Sequence, residues 1–227
     1  MSADSHTQAT HPDIRLASGE LSWANHWEHF VARWGINRNG HRVEPGMYAL
    51  GSPTPDSPVF VTANYRLSYD ALRSAIPGID AYILVLNTLG INVWCAAGKG
   101  TFGTDELAER IESSTLADVV RHRVVIVPQL GASGIAAHEV KKRTGFTVRY
   151  GPIRAADLPA YLRAQQASPE MRQVRFALRD RIVLIPVELV HVVIPLCIAA
   201  TVLFLALGAM AAAAAISAVL AGDSRHR

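Results

Sequence analysis

Apolar and polar positions change rhythm several times along the chain. Residues 1–19 are polar, lack the apolar core of a signal peptide, and read as a disordered start. From residue 21 to 36 the rhythm is helical. Trp23, Trp27, Phe30, Val31 and Trp34 recur at helical spacing, which predicts an amphipathic helix with an aromatic face. That face is expected to pack on the main domain, with a membrane-surface helix as the alternative. His26 and His29 stand three apart on the same helix, but no third metal ligand lies near them in sequence.

Pro45-Gly46 and residues 51–58 are loop punctuation, and an alternation of strand and helix signals follows. Residues 59–64 form a short β-rich run, 68–76 have a helical period, and 81–87 are an apolar strand of the kind buried on both faces. A helix is expected over 105–111, with Thr104 or Asp105 as its cap. A buried strand follows over 124–129, then a helix over 135–143 ending at Gly145, a strand over 148–152 and a helix over 156–165. This order predicts an α/β fold, a mostly parallel Rossmann-like sheet with helices on both faces. In such sheets ligands bind in the loops after the carboxyl ends of strands. The domain is expected over 46–168, with 20–45 as helix and lead-in.

Residues 183–207 are dominated by Val, Ile, Leu and Ala. At about 1.5 Å per residue such a helix crosses a hydrocarbon core of roughly 30 Å with some tilt. Glu188 and His191 lie near its start, and Pro186 and Pro195 are positions for a kink. Residues 209–221 are a further apolar stretch, so the membrane region is expected over 183–221 with a single span, a hairpin at Gly208 being the second choice. The preceding segment, 169–182, carries Arg172, Arg175, Arg179 and Arg181, the basic flank of a cytoplasmic membrane face. The α/β domain is therefore expected on the cytoplasmic side of the inner membrane, in contact with membrane lipid.

Charge and cysteine content narrow the chemistry. A formal net charge of +3 is too small to suggest nucleic acid. The two cysteines, Cys95 and Cys197, make neither a disulfide framework nor a zinc spacing, consistent with a reducing cytoplasm.

The segment richest in chemistry follows the strand at 81–87. It reads Thr88-Leu89-Gly90-Ile91-Asn92-Val93-Trp94-Cys95-Ala96-Ala97-Gly98-Lys99-Gly100-Thr101-Phe102-Gly103-Thr104. It is not a P-loop, because Lys99 precedes Gly100 rather than Ser or Thr, and it does not fit GxGxxG. From its residues alone, Cys95 reads as a small buried hydrophobe or as a ligand.

The Asn92–Lys99 stretch resembles the signature of the mercury-methylating corrinoid proteins, relatives of the large subunit of the corrinoid iron–sulfur protein of acetyl-CoA synthesis. Further segments carry the same likeness in order over roughly residues 33–190. They include Arg33-Trp34-Gly35-Ile36-Asn37-Arg38, Val43-Glu44-Pro45-Gly46-Met47-Tyr48-Ala49, Val61-Thr62-Ala63-Asn64-Tyr65, Thr101-Phe102-Gly103-Thr104-Asp105-Glu106-Leu107, and residues 51–58 and 179–188.

The resemblance implies a cobalamin-type corrinoid cofactor, with Cys95 on a short cap helix as lower axial ligand to cobalt. It implies a corrinoid-dependent methyltransferase passing methyl from Cys-ligated methylcobalamin to Hg(II), a soft electrophile suited to a carbanion equivalent. A methyl carrier of one-carbon metabolism and an inactive corrinoid-binding module are the alternatives. Asn92, Val93 and Trp94 are expected to fix the cap helix, Trp94 being equally suited to the core. Ala96, Ala97 and Gly98 are expected to keep it slim, and Lys99 reads as a solvated charge or a corrin contact. Thr62, Ala63 and Asn64, ending one strand, are candidates for the opposite rim, and Gln129, Leu130, Gly131 and Ala132, ending another, for the nucleotide tail or ring edge. His138 reads as a surface residue and Cys197 as a small lipid-compatible one.

Two cysteines are too few for an iron–sulfur cluster within the chain. The family therefore implies an external reductant, a small ferredoxin-like protein with 4Fe–4S clusters, and an external methyltetrahydrofolate-linked methyl donor system. Where the family carries several spans, this sequence has one, which reads as a shortened membrane part.

Overall fold

The computed structural model describes residues 14–37, 40–175, 177–182 and 185–223 of the 227-residue chain. Residues 183–184 of the expected span and residues 1–13 of the expected disordered start lie outside the described residues, as does the Arg179 side chain of the basic flank. The chain divides into two compact units. One runs to Arg175 without residues 33–35, and the other joins Arg33–Gly35 to the chain after Arg175.

The first unit is built on six strands: β1 (Ile14–Ala17), β2 (Gly46–Leu50), β3 (Val59–Ala63), β4 (Ala81–Leu86), β5 (Val124–Val127) and β6 (Thr147–Tyr150). Their order in the sheet is β1-β2-β4-β3-β5-β6. Strands β4, β3, β5 and β6 are parallel neighbours, whereas β2 runs antiparallel to β4 and carries β1 parallel to itself. The mostly parallel sheet is as expected. Strands β1 and β2 are additions to it, and residues 14–17, assigned to a disordered start, are ordered by pairing Ile14–Ala17 with Met47–Leu50.

Alternate residues of the strands enter two cores, one on each face. Val61, Leu84, Leu86, Val125 and Val127 pack with Phe102, Leu107, Ile111, Leu116 and Phe146. Tyr48, Phe60, Ile83, Val85 and Ile126 pack on the opposite face with Tyr69, Leu72, Ile76, Leu158 and Tyr161. This is why β4 reads as an unbroken apolar run: all six of its residues are buried. The first core is covered by α3 (Val93–Lys99), α4 (Thr104–Ser113), α5 (Leu116–Val119) and α6 (Ala137–Thr144), the second by α2 (Arg66–Ala75) and α7 (Leu158–Ala164). Helix α6 ends at Gly145 in the left-handed region, as its sequence predicts. Helix α4 differs from expectation at its start. Gly103 is the cap residue, and the Thr104 hydroxyl instead accepts from the Ala136 backbone N–H at 2.8 Å, tying α4 to α6.

Helix α1 (Trp23–Arg33) overturns a second expectation: its aromatic face does not pack on the domain. Trp23 and Trp27 are 86% and 63% exposed, and Trp27 stacks on Phe30 at 5.5 Å. The polar face turns inward instead. His29 Nε2 lies 2.8 Å from Asp70 Oδ2, and Glu28 meets Arg66 at 3.3 Å and His41 at 3.2 Å. Asp70 is fully buried and also accepts from Arg73 Nε at 2.7 Å, while Arg73 donates onward to Asn25 Oδ1 and to the Ser18 and Glu20 carbonyls. A fully buried carboxylate needs such partners, and they decide which face of α1 goes in.

In the second unit, α8 (Leu178–Ile182) precedes α9 (Ile185–Asp223), a 39-residue helix. Helix α9 continues through Gly208, so there is no hairpin there, and Pro195 sits inside it. Its Ile185–Ala211 portion is long and apolar enough to cross a membrane by length and composition. Gly35, at φ +76°, lies against the first turn of α9: a Cβ added there would stand 3.2 Å from Val187 Cγ2.

Candidate functional site

Because β3, β4, β5 and β6 are parallel, their carboxyl ends share one edge of the sheet, where a ligand is expected. The loop from β4 into α3 is organised by Asn64, the residue after β3. Its Oδ1 accepts from the backbone N–H of Thr88 at 3.0 Å and of Gly90 at 2.9 Å. The buried Thr88 hydroxyl is shared between Asn64 Oδ1 at 2.9 Å and the Ile91 carbonyl at 2.7 Å. These bonds hold Leu89 at φ 58° and Gly90 at φ 75°, a left-handed pair that is costly for leucine and free for glycine. Asn64 therefore shapes the loop from inside. Thr88, which the sequence reading passed over, is its partner.

Helix α3 starts on Asn92, whose Oδ1 accepts from the Cys95 backbone N–H at 2.9 Å, a side-chain N-cap. Its inner face is Val93, Ala96 and Ala97, all buried. Its outer face is Trp94, Cys95, Gly98 and Lys99, all exposed, with Trp94 at 63%. Ala96 and Ala97 are thus small for the domain and not for a ligand. A Cβ on Gly134 would come within 3.1 Å of Ala97 Cα, and Gly131 abuts the Phe102 ring, so both glycines serve close packing. Gly131 is placed in the packing between the 3-10 turn Gln129–Gly131 and Phe102, not on a cofactor rim. Gly98 alone is small on the open side, with no atom within 4 Å of an added Cβ.

Beside the start of α3 lies a cavity of about 370 Å³. Thr62, Asn92, Val93 and Trp94 line it, together with Ser68 and Leu72 of α2, Pro128 and Leu130 after β5, and Pro152, Ile153 and Ala155 after β6. The structure thus brings together Thr62, Asn92, Val93 and Trp94 and leaves Cys95 on the adjoining exposed face. Pro128 and the lining after β6 were missed, although their place just past two strand ends was the available signal. Gln129 sits next to this lining, and its Oε1 is buried without a hydrogen-bond partner. Such an atom in a native fold calls for an explanation, a ligand being one. His138 is on the surface, 3.5 Å from Glu139, as read.

A second cavity, about 410 Å³, lies among Arg42, Tyr48, Arg66, Tyr69 and Arg73, of which Arg66 and Arg73 bond to Glu28 and Asn25 of α1. Its polar groups serve the clamp on α1. Burial pushes the Tyr69 hydroxyl up to about 12, so it stays protonated at neutral pH.

These features describe an α/β ligand-binding domain with its site at the carboxyl edge of a parallel sheet. Residues 36–162, more than half of the chain, match the family described as CdhD, CO dehydrogenase/acetyl-CoA synthase delta subunit, and the chain belongs to that family. It is 35% identical over 123 residues to the acetyl-CoA decarbonylase/synthase complex subunit gamma of Archaeoglobus fulgidus, covering 53% of this chain and 26% of that one. With the corresponding subunit of Methanopyrus kandleri it shares 34% over 127 residues, 55% of this chain and 27% of that one. It is 31% identical over 129 residues to the corrinoid/iron-sulfur protein large subunit of Moorella thermoacetica, covering 56% and 28%. The chain thus spans about a quarter of the length of these relatives.

Proposed function

We propose that this chain is a corrinoid-binding methyl carrier of acetyl-CoA-pathway-like one-carbon metabolism, held at a membrane by α9. The observation that carries the reading is the outer face of α3. There an exposed thiol, Cys95, and an open glycine, Gly98, share a helix face with Trp94, which lines the apolar cavity at the sheet's carboxyl edge. A flat macrocycle needs a face without protruding side chains, and Gly98 supplies one; a soft metal suits a thiolate donor. The partnerless Gln129 Oε1 is an acceptor suited to amide groups on such a ring. The residues therefore fit a corrinoid, and the name of the Moorella relative points to the same cofactor.

When bound, the corrinoid supplies a cobalt that takes up and gives up a methyl group. The chain's own residues hold and shield it. Asn92 fixes the first turn of α3 and so aims Cys95. The apolar cavity lining excludes water from one side, and Asn64 with Thr88 keeps the loop below in a single conformation. Cys95 would hold the metal as its thiolate, the form in which sulfur serves as a metal ligand. Reductant and methyl donor come from outside the chain in this reading, a ferredoxin-like iron–sulfur protein and a folate-linked donor system.

A second reading, transfer to Hg(II), rests on the exposed Cys95 thiol. Held by a strongly donating thiolate at this position, the cofactor would supply methyl in a form suited to a soft electrophile. Both readings require corrinoid binding at Cys95. Reconstitution of the full chain with cobalamin tests it: retained colour through gel filtration supports the proposal, and colourless protein overturns it. Adding Hg(II) to the methyl-loaded protein then separates the readings, since the carrier yields no methylmercury.

For the membrane, the 27 residues Ile185–Ala211 extend about 40 Å as a helix, more than a core of roughly 30 Å requires. The exposed Arg172, Arg175 and Arg181 before α9 favour a cytoplasmic position for the α/β domain.

A further inference from the structure

Helix α1 is amphipathic inside out, and the proposed function leaves it unexplained. Its polar residues Asn25, Glu28 and His29 are bonded inward to α2 and its surroundings, so the helix is held firmly with Trp23 and Trp27 outward. Trp23 and Trp27 lie one turn apart at i and i+4 and share a side of the helix. Tryptophan is among the costliest side chains to leave in water, and fixing two of them outward needs a counterpart. Glu28 is the one acidic residue of α1, and it is turned to Arg66 and His41, so the outer face carries no carboxylate.

Two observations identify the counterpart. Arg33–Gly35, the end of α1 and the turn after it, belong to the compact unit of α9, with Gly35 against Val187 in the first turn of the candidate span. From Arg33, two residues before Gly35, back to Trp23 is about 15 Å of helix. Arg33 in the last turn of α1 and Arg181 before α9 are exposed, as is Glu188 in the first turn of α9. Tryptophan prefers the boundary between acyl chains and headgroups, and arginine pairs with anionic headgroups.

We propose that α1 is an interfacial helix. It lies in the headgroup layer of the bilayer that α9 crosses, with Trp23 and Trp27 inserted and Arg33 on anionic lipid. This rests on the reading of α9 as a span, and the test separates the two. Full-length Trp34→Phe/Trp94→Phe protein, whose remaining tryptophans are Trp23 and Trp27, is reconstituted in phosphatidylcholine–phosphatidylglycerol vesicles. Emission is expected to shift to the blue and to fall by about half or more when the phosphatidylcholine carries bromine near the headgroup. Should that variant misfold, wild-type protein is compared with Trp23→Ser/Trp27→Ser, which is expected to lose most of this quenching. Labelling of Cys197 by a membrane-impermeant maleimide, read by peptide mass, reports the span in parallel. Shielded Cys197 with unquenched, water-like Trp23 and Trp27 overturns the interfacial helix alone. Labelled Cys197 in intact vesicles overturns the span and this inference with it. Tryptophan shielding that grows with protein density and ignores bromine indicates a second copy of the chain and also overturns it.

Discussion

Helices α1 and α3 both present tryptophan to the outside, and they reach that state by opposite routes. Helix α3 follows the usual rule: Val93, Ala96 and Ala97 go into the core, and what remains outside is a thiol, a glycine, a lysine and Trp94. Helix α1 reverses it, burying ion pairs and exposing aromatics. The environments differ as well. The exposed face of α3 borders an apolar cavity where strand ends converge, whereas α1 is followed by a turn whose Gly35 lies against Val187. An exposed aromatic is therefore uninformative by itself. What lies beside it separates a ligand site from an interaction surface.

The comparison is broken most severely at Asp70. Removing this fully buried carboxylate by Asp70→Ala leaves Arg73 buried without its partner and frees His29. We expect a loss of about 3–5 kcal/mol in denaturant unfolding, with α1 the first element to lose hydrogen-exchange protection. Asn64→Ala is the matching lesion under α3. It leaves the Thr88 and Gly90 N–H groups without an acceptor and costs about 2–3 kcal/mol. Unlike Asp70→Ala, it also lowers cobalamin retention in gel filtration, because the loop that carries α3 is released.

Gly98 sharpens the contrast, because stability and binding are expected to move apart there. Gly98→Ala should stabilise the fold by up to about 1 kcal/mol, since a Cβ meets nothing and helix propensity improves. Gly98→Leu should unfold much as wild type does, yet weaken cobalamin binding about tenfold or more, measured by titration. The smallest effect is expected on α1. Trp23→Ser/Trp27→Ser should change stability of the detergent-solubilised chain by less than about 0.5 kcal/mol, because rings this exposed contribute little to the fold.

The parts of the fold that were legible in the sequence are those where local pattern and tertiary context agree. Strands β3, β4 and β5 are buried on both faces, so their apolar runs are unbroken and their starts are read correctly. Strands β1 and β2 were not legible. The first has only four residues and half-buried or exposed side chains, and the second hides between Gly46 and Gly51, which read as loop punctuation. Helical period identified α1 but did not reveal which face turns inward; that is set by Asp70, Arg66 and Arg73, some forty residues later in the chain. Likewise, the position of Cys95 past a strand end was legible. The cavity was not, because its far wall includes Pro128, Pro152, Ile153 and Ala155, which only the folded sheet brings near Asn92. Asn64 was noticed for its position, but its bonds to the Thr88 and Gly90 N–H groups were not legible, since they join a strand end to the loop next door some twenty-five residues on.

The central claim is that the outer face of α3 holds a corrinoid through Cys95. It is tested most directly by the visible absorption spectrum of the full chain reconstituted with cobalamin, compared with Cys95→Ala. The account predicts that wild-type protein retains the coloured cofactor and that its cobalt bands shift when the thiol is removed. Colourless wild-type protein, or superimposable spectra from the two proteins, would contradict it.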